Sequence, residues 1–288
     1  MKLHLFDTSA LSDLAEAENA LLRHRLIADV DSGRIVVLAT HPLIWEIAGV
    51  RAANEPHYIG MMDLLFRVTR RRVLLRLQRR AEAEIRNGGP LAFPAYVDDE
   101  QRLELPLDVE EIDTAAATNV ATAAGLTFRE AERAEDTRQG LEDEARRQAR
   151  EKGEPYDATA VRRGLKEAYE RQEYVLDLIE HYARTDVDEV CSEVGLIVPS
   201  LHPRSFPSLW SRAVTHVARI RAVMVGGTRP AGRKSPGAID LIHLKEAGAY
   251  ADVFVTSDRR LRAFAANLYE KRCDVLSFEE WAATLAGP

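Results

Sequence analysis

Residues 238–261 read A-I-D-L-I-H-L-K-E-A-G-A-Y-A-D-V-F-V-T-S-D-R-R-L. Ile239, Leu241, Ile242, Leu244 and Ala247 recur at helical spacing, and Ser235-Pro236 just upstream suits a helix start. Asp252–Thr256 is a short apolar run that predicts a buried strand. Arg259–Tyr269 returns to helical spacing through Leu261, Phe264, Ala265 and Leu268. A further strand, Cys273–Leu276, and a short helix, Phe278–Leu285, follow. Strands that alternate with helices predict a parallel sheet covered by those helices.

The amino-terminal segment has the same grammar. Lys2–Phe6 reads as a strand that ends at Asp7, and Ser9 or Thr8 is the expected cap of a helix through Leu11, Leu14, Leu21 and Leu22. Asp31-Ser32-Gly33 is a turn, and Ile35–Leu38 is a continuous apolar, β-branched strand. His41-Pro42 opens the next helix. Residues 1–55 and 236–288 are therefore expected to form one small, three-layer α/β domain on a parallel sheet.

The middle, residues 56–235, reads as a mainly helical insertion, which an exposed loop tolerates. Arg67–Arg80 holds seven arginines among leucines and valines, either a solvated face or a phosphate-tracking helix. Thr127 with Glu130 fits a capping box, and Leu141, Ala145 and Ala149 mark a thin apolar seam. Gly153-Glu154-Pro155 breaks that helix before a second one through Val161, Leu165, Ala168, Val175, Ile179 and Tyr182. The resulting hairpin is read as solvated by default, with a partner-binding or dimerising arm as the sharper reading. Ser208–Met224 predicts one more amphipathic helix.

Composition bounds the function. The 288 residues carry 39 bases against 46 acids, a net charge of −7, which excludes a uniformly basic coat and confines any nucleic-acid contact to a local patch. Cys191 and Cys273 are too few for a disulfide framework or a cysteine-built zinc site. The apolar runs are too short to span a membrane, and M-K-L-H-L-F-D does not resemble a signal peptide. A soluble, cytoplasmic protein is expected.

Four acids stand where chemistry is expected. Asp7 and Asp258 follow predicted strands, so both fall at the carboxyl edge of a parallel sheet, where open α/β folds bind ligands. Glu46 and Asp240 each follow a proline by four residues, in Pro42-Leu-Ile-Trp-Glu46 and Pro236-Gly-Ala-Ile-Asp240, near the starts of two helices on that edge. Carboxylates gathered this way repel unless a cation intervenes, and oxygen ligands suit Mg²⁺ or Mn²⁺. Acids are common at helix starts and strand ends. These four, however, are set in apolar surroundings such as Ile44-Trp45-Glu46-Ile47 and Ile239-Asp240-Leu241.

The segments L-F-D-T-S-A-L, W-E-I-A and 238–261 together resemble PIN-domain nucleases. The resemblance covers roughly residues 1–55 and 236–280 and implies that Asp7, Glu46, Asp240 and Asp258 are the catalytic, metal-holding acids. Thr256 matches the family's strand-end threonine, and Thr8 stands beside Asp7 as a supporting residue. It further implies an endoribonuclease, a hydrolase that uses Mg²⁺ or Mn²⁺ to activate water. RNA is the implied substrate, with an antitoxin or other protein partner, or a second copy, in prospect. The large insertion departs from the family pattern.

Other features bear on substrate. His243, three residues after Asp240, shares its helix face and reads as a packed histidine or a substrate contact. The segment 226–235, G-G-T-R-P-A-G-R-K-S, misses the P-loop spacing by one residue; Arg229, Arg233 or Lys234 would instead grip a nucleic-acid phosphate. A haloacid-type phosphatase is disfavoured because Ser9 occupies the place of a second acid. Two alternatives stay open: a DNA or structure-specific nuclease, and a non-catalytic nucleic-acid or protein interaction module.

Overall fold

The computed structural model describes residues 1–50, 53–92, 136–226 and 238–286. The expected loop bearing Arg229, Arg233 and Lys234, and the Thr127–Glu130 capping box, lie outside the described residues.

The elements run β1 (Lys2–Phe6), α1 (Thr8–Ala15), α2 (Ala20–Asp31), β2 (Ile35–Val37), α3 (His41–Val50), α4 (Glu55–Thr69) and α5 (Leu77–Asn87). A helical stretch over 136–152, α6, precedes α7 (Ala158–Glu170), α8 (Gln172–Val194) and α9 (Pro207–Gly226). The chain returns to the sheet through α10 (Ala238–Tyr250), β3 (Val253–Val255), α11 (Arg259–Ala265), β4 (Asp274–Leu276) and α12 (Phe278–Ala286).

The four strands are all parallel, in the order β2-β1-β3-β4. His4 is paired in register with both Val37 and Val253. Strand alternation sends Phe6, Ile35, Val37, Val253 and Val255 to one face, under buried residues of α1 to α4 and α12. Leu5, Val36 and Phe254 face the other side, where Leu244 and Ala247 of α10 and Leu261 of α11 cover them. The result is a three-layer α/β arrangement.

The sheet's core does not stop at residue 55. Tyr58, Met61, Leu65 and Val68 recur at three- and four-residue spacing on α4 and pack among the strand residues. Val73 then forms an isolated parallel bridge with Ala39. The Arg67–Arg80 run is accordingly not one helix. It breaks at Arg70 and Arg71, both at positive φ (52° and 58°), and resumes as α5. Arg70 pairs with Asp31 at 2.6 Å, whereas Arg80 is fully buried.

The second predicted helix of the insertion divides at Arg171, whose extended backbone (φ −78°, ψ 123°) separates α7 from α8. Helix α9 packs against α5, α7, α8 and α10, so it joins the insertion to the α/β unit. The α9–α10 approach is close: a Cβ on Gly248 would lie 2.4 Å from Ser211 Oγ. Ser211 Oγ in turn donates to the Lys245 carbonyl at 2.9 Å.

A buried ionic seam crosses the same junction. Arg80 Nη2 lies 2.5 Å from Glu246 Oε2. Glu84 accepts hydrogen bonds from Tyr250 Oη at 2.7 Å and from Ser208 Oγ at 2.6 Å, and the Ser208 amide near the start of α9 donates to it as well. Burial holds the His41 imidazole down to about 3, with the positive charges of Arg76 and Arg80 adding to the effect.

Candidate active site

Asp7 follows the last residue of β1 and is 6% exposed. It, rather than Ser9 or Thr8, caps α1, by accepting from the Ala10 amide at 2.8 Å. The reason is geometric: an Ncap residue sits in extended backbone with its carboxylate over the first turn, and Asp7 has that backbone (φ −87°, ψ 174°). Ser9 Oγ donates to the same carboxylate at 2.8 Å, and Thr256 Oγ1 donates to its second oxygen. Burial pushes the Asp7 carboxyl up, and the hydrogen bonds and the charge of His243 only partly counter that.

Glu46 enters from α3, where Pro42 is the second helical residue. Its Oε2 accepts from Thr8 Oγ1 at 2.5 Å and meets His243 Nε2 at 3.0 Å. Burial opposes ionisation of Glu46, but the hydrogen bond and charge of His243, with Thr8, outweigh it and hold the carboxyl below its usual range.

His243 lies on α10, is 1% exposed and stacks on Phe254 at 6.1 Å. Burial disfavours its positive charge; the hydrogen bond and charge of Glu46, then Asp7 and Asp240, outweigh that and raise its pKa. Its Nδ1 has no hydrogen-bond partner among the described residues. Asp240, half-buried in the first turn of α10, thus shares the electrostatic neighbourhood of Glu46 and Asp7.

Asp258 departs from the expected convergence. Its carboxylate caps α11, accepting from the Arg260 and Leu261 amides at 2.6 and 3.3 Å, and pairs with Arg260 Nη2 at 3.3 Å. Burial opposes ionisation there too, but these contacts win and lower its pKa. The Asp258 amide donates to Thr256 Oγ1 at 3.0 Å, so the residue reaches Asp7 through Thr256. Among the described residues, no three carboxylate, histidine or cysteine side chains form a ready metal-holding group. Asp7, Glu46 and Asp258 each accept hydrogen bonds from protein donors instead.

Sequence reasoning missed the outer part of this network. Ser257 donates from its amide to Ser9 Oγ at 3.0 Å and from its hydroxyl to Asp13. Nothing in the local pattern distinguishes Ser257 or Asp13 from ordinary surface residues.

Comparison with family models, with curated proteins and with solved structures finds no match.

Proposed function

We propose that the chain is a metal-dependent endonuclease, acting on RNA, with Asp7, Glu46 and Asp240 as its metal-holding acids and a PIN-like fold around them. The observation that carries this reading is His243, on which carboxylates from the end of β1, from α3 and from α10 act together. Those three segments meet at the carboxyl edge of the parallel sheet, the edge at which open α/β folds bind ligands.

Carboxylates are the donor type that a hard cation takes, although no three of these side chains gather into a ready group among the described residues. Three carboxylate oxygens suit Mg²⁺ or Mn²⁺, and the same carboxylates raise the pKa of the His243 imidazole beside them. A bound ion supplies an activated water and cover for charge developing on the phosphate oxygens. The chain's own residues do the positioning. Thr256 and Ser9 orient Asp7, while Thr8 and His243 orient Glu46. His243 is fully buried, so it positions Glu46 without touching substrate. Asp258 acts through Thr256 in this scheme. Arg229, Arg233 and Lys234 are assigned to phosphate contact on their sequence position before α10. The RNA preference, a protein partner such as an antitoxin, and a cytoplasmic location rest on the family resemblance.

The same site admits one other reading, a non-catalytic interaction module, which the protein-satisfied hydrogen bonds of Asp7 and Asp258 favour. Incubation with an RNA pool and Mn²⁺, with EDTA as control and sequencing of the ends, separates the two. Discrete ends that require the metal and vanish in Asp7→Asn support the nuclease. An intact pool under Mg²⁺ and Mn²⁺ alike overturns it.

A further inference from the structure

The three tryptophans are not placed alike. Trp210 and Trp281 are 2% and 0% exposed, and each packs in an apolar cluster. Trp45 is partly exposed, and among the described residues it joins none of the apolar clusters. Tryptophan is highly buried on average, so one outside the cores draws its meaning from where it stands.

Trp45 stands at the acid site. It immediately precedes Glu46 on α3, about 100° round the helix from it. The Glu46 carboxylate turns to Thr8 and to His243 of α10. The indole falls on the same helix face as His41, four residues back, and the two rings lie 6.0 Å apart. His41 is buried, and the positive charges of Arg76 and Arg80 reach it, so this face of α3 looks toward the start of α5. Arg80 is buried and paired with Glu246. Arg76 is exposed, and at the N-cap of α5 its side chain makes no capping bond. An aromatic ring and an exposed guanidinium thus flank one side of the acids.

We infer that Trp45 is a base-stacking platform of this site, on which one unpaired base of a nucleic-acid strand lies beside the scissile phosphate while Arg76 contacts a neighbouring phosphate. The inference rests on the nuclease reading for the identity of the strand. Every base has a π-face, so a lone indole holds a base without reading its sequence, and it holds only a base that is out of a duplex. The acids repel phosphate, and a local cation such as Arg76 offsets that repulsion.

The test is binding without cleavage. In EDTA, a short fluorescein-labelled oligouridine is titrated by anisotropy against wild type, Trp45→Ala and Trp45→Phe, with an abasic ribose-phosphate chain of the same length as control. Trp45→Ala is expected to weaken oligouridine by about tenfold and Trp45→Phe by less, while all three bind the abasic chain equally. Arg76→Gln is expected to weaken both chains and to flatten the slope of log affinity against log salt by about 0.7. Unchanged oligouridine binding in Trp45→Ala, equal weakening of the abasic chain, or no binding by wild type overturns the platform. An unchanged salt slope in Arg76→Gln removes that residue from it. The nuclease reading fails separately. Base-dependent binding through Trp45 with no Mn²⁺-dependent cleavage by wild type keeps the platform and overturns the nuclease, whereas cleavage with an unchanged KM in Trp45→Ala does the reverse.

Discussion

Arg80 and Glu246 form an ion pair at 2.5 Å in which the arginine side chain is wholly buried, joining the insertion to the helix that carries Asp240 and His243. Removal of one partner leaves the other charge stranded in a desolvated site. Arg80→Met is expected to lose about 3–5 kcal/mol of stability. Arg80→Met/Glu246→Leu, which removes both charges, is expected to recover most of that. Urea denaturation of the two variants and the wild type checks the pair; equal losses in both would show that packing, not charge, sets the cost.

Asp7→Asn tests whether the first acid is retained for chemistry. Burial raises the Asp7 pKa, so its ionised form weighs against folding at neutral pH. The amide keeps an acceptor for the Ala10 N–H and drops the charge. Stability is expected to hold or to rise by about 1 kcal/mol, while Mn²⁺-dependent cleavage falls by orders of magnitude. A lower melting temperature with cleavage intact would mark a structural cap.

Asp258 is expected to behave differently, because its carboxylate already serves α11 and Arg260. Asp258→Ala loses the cap and is expected to cost about 1 kcal/mol; Asp258→Ser keeps a capping oxygen and costs a few tenths. Cleavage by Asp258→Ser is expected to fall far less than in Asp7→Asn. Matching losses of cleavage would return Asp258 to the metal-holding group.

Acid sensitivity follows from His4. Its folded pKa, about 4, lies below the ordinary 6.5. Between these values the unfolded chain binds the extra proton, so stability is complete above about 6.5 and is lost as pH falls toward 4. From pH 7 to 5 the His4 contribution falls by roughly 2 kcal/mol. Asp186, pushed up to about 6 by burial, has the opposite sign and recovers roughly 1 kcal/mol over the same interval. His4→Gln keeps an acceptor for Trp281 and is expected to show a smaller acid loss by about 2 kcal/mol, read from urea midpoints at the two pH values.

Gly248 offers a check on the α9–α10 junction. An exposed helical glycine usually gains from alanine, but here the added methyl would meet Ser211 Oγ at 2.4 Å. Gly248→Ala is expected to lose about 1–3 kcal/mol, and Ser211→Ala in the same chain to restore much of it. A stabilised single variant would show that the helices separate without cost.

The strands were legible because each is a short, largely apolar run, continuous in Ile35–Val37 and Val253–Val255: Lys2–Phe6 matches the reading, and the other three differ only by end residues. The carboxyl edge was legible for the same reason, since strand ends fix where Asp7 falls. What the periodicity could not convey is which charge finds a distant partner. Arg80 sits in a run of arginines that reads as solvated, yet its partner lies on α10, far along the chain. His243 reads as one helix-face residue among several until Glu46 is brought against it from 197 positions away. Asp258 shows the same limit: a cap and a metal ligand present the same letter in the same place, and the sequence does not say that its carboxylate bonds the Arg260 and Leu261 amides.

The pairing of β1 with β3 has a consequence for synthesis. The Leu3 amide bonds Asp252 across 249 residues, so β1 cannot pair with β3 until the chain between them has been made. Closure over such a span is slow, and contacts of this range form late. Asp7 and Glu46 therefore have no Asp240 beside them until the insertion has been translated and folded between. A chain that stops before α10 carries Asp7 and Glu46 without Asp240 and His243, so this edge of the sheet stays unassembled in incomplete copies.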